Sequence, residues 1–193
     1  MVALDKSDLL ADFTCGSDQR AEAAAMQLAA DGLKSLPILK EFLHDTNEEV
    51  RWWAARSLAE IHYPEVIPLL LQALNDPKPA VRHCAALALR YQADPEAIHP
   101  LIQALNLPDQ LMARLAADAL IAIGEESVPA LIEILQNSSQ AARLESARAL
   151  GEIGDPRAIP ALFNALDDDS AILEHWAGES LEKMGVGMVF FNP

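Results

Sequence analysis

The chain repeats itself with a period of about 31 residues, and that period limits the fold to a stack of similar units. Five prolines stand in similar apolar company, Pro37, Pro68, Pro100, Pro129 and Pro160, spaced by 31, 32, 29 and 31 residues. A second series is offset from the first. Leu28, Leu58, Leu89, Leu120, Leu150 and Leu181 are spaced by 30, 31, 31, 30 and 31 residues. Two independent series with one period describe a repeat array, in which each unit must cover the apolar face of its neighbour.

Each repeat reads as two helices. Val50, Ala54, Leu58 and Ile61 fall at helical spacing and form a core-facing stripe. Equivalent stripes are Val81, Ala85 and Leu89, and Ala142, Ser146, Leu150 and Ile153. The first helices are expected near 5–13, 35–44, 64–75, 95–106, 126–136 and 156–167, and the second near 18–31, 48–62, 79–92, 110–123, 140–153 and 171–184. Asp94-Pro95 and Asp155-Pro156 look like an N-cap followed by a proline at the first helical position. A further proline in the same helix, Pro100 or Pro160, predicts a bend or a restart there. Gly124, Gly154 and Gly185 follow second helices and read as left-handed C-caps. Nothing reads as a strand. The expected fold is an all-α superhelix of about six helix pairs, with residues 1–185 as a single domain and 186–193 as an apolar tail. Six layers of roughly 10 Å would make a curved rod on the order of 60 Å long.

Charge narrows the range of functions. The 193 residues carry 29 acidic and 14 basic side chains, a formal net charge of −15. A nucleic-acid binder that relies on a basic surface is excluded. The five lysines are scattered, so no polybasic stripe exists for a membrane surface. No run of 18 apolar residues offers a membrane span, and the acidic start MVALDKSDLL is no signal peptide. Cys15 and Cys84, 69 positions apart, make neither a disulfide framework nor a zinc ribbon. The expectation is a soluble, acidic, cytoplasmic protein.

Asp155-Pro156-Arg157-Ala158-Ile159-Pro160-Ala161-Leu162 and Ala147-Arg148-Ala149-Leu150-Gly151-Glu152-Ile153-Gly154 resemble the two halves of a HEAT-like repeat, of the subtype named after the phycobilisome lyases. The resemblance covers about residues 18–185. It is specific for fold and weak for function, because members include bilin lyase subunits, phycobilisome-degradation adaptors and plain scaffolds. The family's second-helix arginine is present as Arg51, Arg82 and Arg143, and is replaced by Ala21, Ala113 and Glu174 in the other repeats. An acid or amide stands six residues earlier, at Asp45, Asp76 and Asn137. The resemblance implies a ladder between neighbouring loops from these residues, which assigns the three arginines to the scaffold.

No catalytic constellation is legible. Gly-rich phosphate loops, GxSxG and HExxH are absent. A HEAT-like family that binds two irons does so through His-Glu dipeptides. Here His44, His62, His83, His99 and His175 are never followed by Glu. His83-Cys84 and His175 lie three repeats apart, too far to share a metal. The run Asp167-Asp168-Asp169 reads more readily as a cap for the helix near Ser170 than as a cation site. No catalytic residue, cofactor or metal is assigned.

A partner is expected on the second helices, which usually line the concave face of a helical solenoid. Their candidate contact residues are Trp52, Trp53 and Arg56, then His83, Leu87 and Tyr91, then Arg114, Arg148, His175 and Trp176. Tryptophan, tyrosine and arginine dominate binding hot spots. Trp53 stands beside Val50 and could equally pack inside, whereas Trp52 points away from the stripe. The tail, with Met188, Val189, Phe190 and Phe191, either caps the last repeat or docks into a partner or a second copy. The leading expectation is a non-catalytic protein-interaction scaffold or adaptor. The alternative is a bilin lyase-type or chromophore-chaperone subunit that handles phycobiliproteins, with Arg56, Arg114 or Arg148 holding bilin propionates.

Overall fold

The computed structural model describes residues 5–186. Among these residues the regular structure is helical, with no strand. They group into two compact units that divide between Asp94 and Pro95.

The N-terminal unit pairs α1 (Lys6–Thr14) with α2 (Asp18–Asp31), α3 (Leu36–Phe42) with α4 (Glu48–Ala59), and α5 (Ile67–Ala73) with α6 (Pro79–Gln92). The C-terminal unit pairs α7 (Ile98–Leu105) with α8 (Gln110–Ile123), α9 (Val128–Asn137) with α10 (Gln140–Ile153), and α11 (Ile159–Ala165) with α12 (Ala171–Lys183). Four of the six second helices match the ranges read from the sequence; α4 and α12 end earlier, at Ala59 and Lys183. From the second pair onward, each first helix opens with a 3-10 turn, as in Pro64–Val66 before α5 and Pro156–Ala158 before α11. That turn is the expected restart. It places Pro37, Pro68, Pro129 and Pro160 at the second position of α3, α5, α9 and α11, where no intrahelical hydrogen bond is lost.

The core follows the stripes. Val50, Ala54, Leu58, Val81, Ala85 and Leu89 are all at most 1% exposed. Small residues, Ala24 and Ala25, Ala54 and Ala55, Ala85 and Ala86, Ala116 and Ala117, are buried on the second helices, which pack against one another within each unit. Gly151 marks a close approach between α10 and α12. A Cβ on Gly151 would overlap the Ser180 side chain and lie 2.8 Å from Ser180 Cα. Ser180 Oγ fills this contact by donating to the Ala147 carbonyl at 2.9 Å.

Helix ends follow the expected chemistry at Asp155 and Gly154, but Gly124 after α8, expected as a left-handed cap, has φ 84° and ψ −137°. Asp155 accepts from the Arg157 amide at 2.8 Å, as its N-cap reading required. Gly154 caps α10 in the left-handed conformation, with φ 72° and ψ 19°. The same role after α6 falls to Ala93, with φ 45° and ψ 49°. A side chain there costs about 1 kcal/mol.

Two stability predictions follow from these contacts. Gly151→Ala must push α12 off α10 and lower unfolding free energy by about 2 kcal/mol, read as a reduced denaturant midpoint. Ala93→Gly relieves the left-handed strain and raises stability by about 0.5 kcal/mol in the same assay, the gain being trimmed by the freedom glycine adds to the unfolded chain.

Candidate functional site

Counting from the recurrent leucine of each second helix sorts the outward side chains into three rows. In the N-terminal unit the row six residues before that leucine is Glu22, Trp52 and His83. The row two before is Met26, Arg56 and Leu87, and the row two after is Ala30, Glu60 and Tyr91. Met26, Leu87 and Tyr91 are 50%, 41% and 66% exposed, while Trp52, Arg56 and His83 are half-buried. The rows are joined by Arg56, which donates to Glu22 Oε1 at 3.0 Å and to Glu60 on its own helix. These bonds, Glu60's first, raise the guanidinium pKa above its ordinary value. Cys84, next to His83, is pushed up to about 11 by burial, so it stays a neutral thiol and not a nucleophile.

Trp53 belongs to the core. It is 8% exposed and stacks on Phe13 of α1, with ring centroids 6.1 Å apart and planes 8° from parallel. Phe42 meets Phe13 edge-on at 5.7 Å. Trp52 stands against Trp53 at 4.7 Å with planes 84° apart, so it presents a ring that is held in place from behind. A stripe read along α4 alone does not reveal this, because Phe13 arrives from another helix.

The C-terminal unit fills the same rows with charge. Arg148 was expected on the groove surface, but it is 8% exposed and donates to Asp118 at 2.7 Å and Glu145 at 2.9 Å. Arg114 lies 3.8 Å from the same two carboxylates and is half-exposed. Lys183 bonds Glu152 at 2.7 Å, which raises the lysine and lowers the carboxyl. His175 is exposed, 3.6 Å from Glu179, and Trp176 is half-buried beside it. Met188, Val189, Phe190 and Phe191 lie outside the described residues.

Arg51 and Arg143 link neighbouring loops as the resemblance implied, whereas the Asn137 amide expected in the same ladder donates to the Glu133 carbonyl at 3.3 Å. Arg51 donates to the Asp45 carbonyl at 3.0 Å and grips both Asp76 oxygens, at 2.6 and 3.0 Å, in the loop of the following repeat. Arg143 donates to the Leu135 carbonyl at 2.8 Å and to Asp168, again 25 residues ahead. Arg82 binds the Asp76 carbonyl at 2.9 Å. Asp168 also accepts the Ser170 amide at 3.0 Å, while the cap of α12 is Ser170 itself. The acidic run is therefore a loop brace and not a helix cap. Among the described residues, no three His, Cys, Asp or Glu side chains gather as a metal site, and no helix is long and apolar enough to cross a membrane.

The chain belongs to the HEAT repeat family, whose sequence profile matches residues 9–90, 36–121 and 98–182. It is similar in structure to the archaeal HEAT-like repeats protein from Thermococcus onnurineus NA1, at TM-score 0.66 and 17% identity over 100% of this chain and 85% of that one. It is also similar to the complex of CpcE and CpcF of phycocyanin lyase from Nostoc sp. PCC7120, at TM-score 0.56 and 21% identity over 96% of this chain and 79% of that one. A designed armadillo repeat protein in complex with the peptide (KR)4 matches at TM-score 0.52 and 19% identity over 94% and 100%. No curated protein sequence matches the chain significantly.

The loop ladder has a pH signature. Burial pushes the Asp76 carboxyl up, but the Arg51 hydrogen bonds, the Lys78 amide and nearby arginine charge together hold it below 3.8. A carboxyl depressed in the folded state stabilises it fully above the unfolded pKa and loses that contribution as pH falls through the folded one. Asp76→Asn should cost about 2 to 3 kcal/mol at pH 7 and progressively less below pH 3.8, measured by urea unfolding across pH.

Proposed function

We propose that this chain is a non-catalytic scaffold or adaptor that takes a protein partner on its second helices, with the contact centred on the N-terminal unit. The observation that carries this reading is the run of Met26, Trp52, Leu87 and Tyr91 across three neighbouring second helices, α2, α4 and α6. Met26, Leu87 and Tyr91 are exposed and Trp52 is half-buried, and large apolar side chains that reach the surface of a packed scaffold mark contact surfaces. Trp52 and Tyr91 are of the types that anchor interfaces. Arg56, pinned between Glu22 and Glu60, supplies a polar rim with little rotamer entropy left to lose.

Charge sets the partner's sign. Residues 95–193 hold 15 of the 29 acidic side chains but 5 of the 14 basic ones. Each of those five, Arg114, Arg143, Arg148, Arg157 and Lys183, is ion-paired with carboxylates of the chain. A basic partner is steered toward such a field and an acidic one is repelled. The likeness to a designed repeat protein holding (KR)4 is in keeping with this sign. Both cysteines are free, which suits a reducing cytoplasm.

The second reading is a bilin lyase-type subunit of the phycobilisome lyase subtype, favoured by the likeness to the complex of CpcE and CpcF. It is the weaker of the two, because propionates on Arg56 or Arg148 would have to displace Glu22, Glu60, Asp118 or Glu145.

The test is affinity capture from native lysate with wild type beside Leu87→Asp/Tyr91→Asp. Both side chains are exposed, so the fold survives and the melting temperature is unchanged. The expected result is a colourless protein partner captured by wild type and reduced at least tenfold in the variant. Equal capture by both removes this face as the binding site. A bilin absorption band in the eluate favours the second reading.

A further inference from the structure

Next to Trp52 the N-terminal unit holds a cavity of about 210 Å³, lined by Phe13, Asp18, Glu49, Trp52 and Trp53 with the Gly16-Ser17 turn. Its walls are aromatic, and the two tryptophan rings stand nearly perpendicular. The charged side chains of its lining are both acidic. Asp18 opens α2 and Glu49 lies in the first turn of α4; both are exposed, and neither joins an ion pair among the described residues. This contrasts with Arg56 on the same face, whose charge is already matched by Glu22 and Glu60. Each helix start contributes about half a positive charge, so two full negative charges leave the cavity net negative.

An indole face attracts a cation through its quadrupole, and a carboxylate at the rim adds direct attraction and a charge-assisted hydrogen bond. The combination suits a long side chain with an apolar stem and a cationic head. We propose that this cavity receives an arginine or lysine side chain from a basic segment of the partner protein. The proposal rests on the second-helix reading and gives it a recognition element. Met26 on α2 and Leu87 and Tyr91 on α6 are the exposed apolar positions left on the second helices of this unit for the rest of the partner.

The probe is a fluorescein-labelled eight-residue peptide of alternating lysine and arginine, titrated with the full chain at 50 mM salt. Trp52→Leu is expected to weaken binding 5- to 30-fold, and Asp18→Asn/Glu49→Gln at least 10-fold. The control is Asp167→Asn/Asp169→Asn, which removes the same charge from exposed positions of the C-terminal unit and is expected to change affinity less than 2-fold. Circular dichroism melts verify that each variant is folded. Trp52→Phe keeps an aromatic face and is expected to retain most of the affinity. No binding by wild type, equal losses in the control and the cavity variants, or an unchanged Trp52→Leu each overturns the proposal. Leu87→Asp/Tyr91→Asp separates the two readings. If it abolishes capture of the native partner while the peptide does not bind wild type, the face stands and the cavity assignment falls.

Discussion

Close approach between successive second helices is the constraint on which the other features depend. One helix pair cannot bury its own apolar stripe, so within each unit a second helix must lie against its neighbour at short range. The alanines at Ala54-Ala55, Ala85-Ala86 and Ala116-Ala117 permit it, and Gly151 against Ser180 shows how little space remains. Within each unit this packing turns one side of the second helices outward at a shared register, and so creates rows of outward positions. The Arg51–Asp76 and Arg143–Asp168 pairs fix the loops at the ends of these helices, so the rows stay aligned.

What the rows carry differs between the units. In the N-terminal unit they present Met26, Trp52, Leu87 and Tyr91, and the aromatic stack beneath Trp52 makes its position rigid. In the C-terminal unit they present Arg114, Asp118, Glu152 and Lys183 around the buried Arg148, joined by ion pairs along and between helices. The half-exposed pair of Lys183 with Glu152 contributes little to stability. The consequence of these pairs is electrostatic: every cation of that unit is matched and the acidic surplus faces solvent.

Much of this was legible in the sequence because the repeat does two tasks at once. The leucine register fixed helix phase, so Val50, Ala54 and Leu58 were correctly placed inside and Leu87 and Tyr91 outside. The proline series located the restarts of the first helices. The arginine ladder was recognisable from its six-residue offset to the loop acids. What escaped was contact between helices of different repeats. Trp53 is buried because Phe13 of α1 covers it, and periodicity along α4 carries no trace of α1. Arg148 shares its register with exposed Met26 and Leu87, yet Asp118 and Glu145 draw it down into a clamp. The cavity beside Trp52 needed the Gly16-Ser17-Asp18 segment and Glu49 to come together from two places in the chain.

The most direct test of the account is hydrogen–deuterium exchange of the chain alone and bound to the partner it captures. The amides of α4 and α6 should gain protection on binding, with the starts of α2 and α4 near Asp18 and Glu49 among the most affected. Protection confined to the first helices, or to the C-terminal unit with α4 and α6 unchanged, would contradict the assignment of the second-helix face of the N-terminal unit as the binding surface.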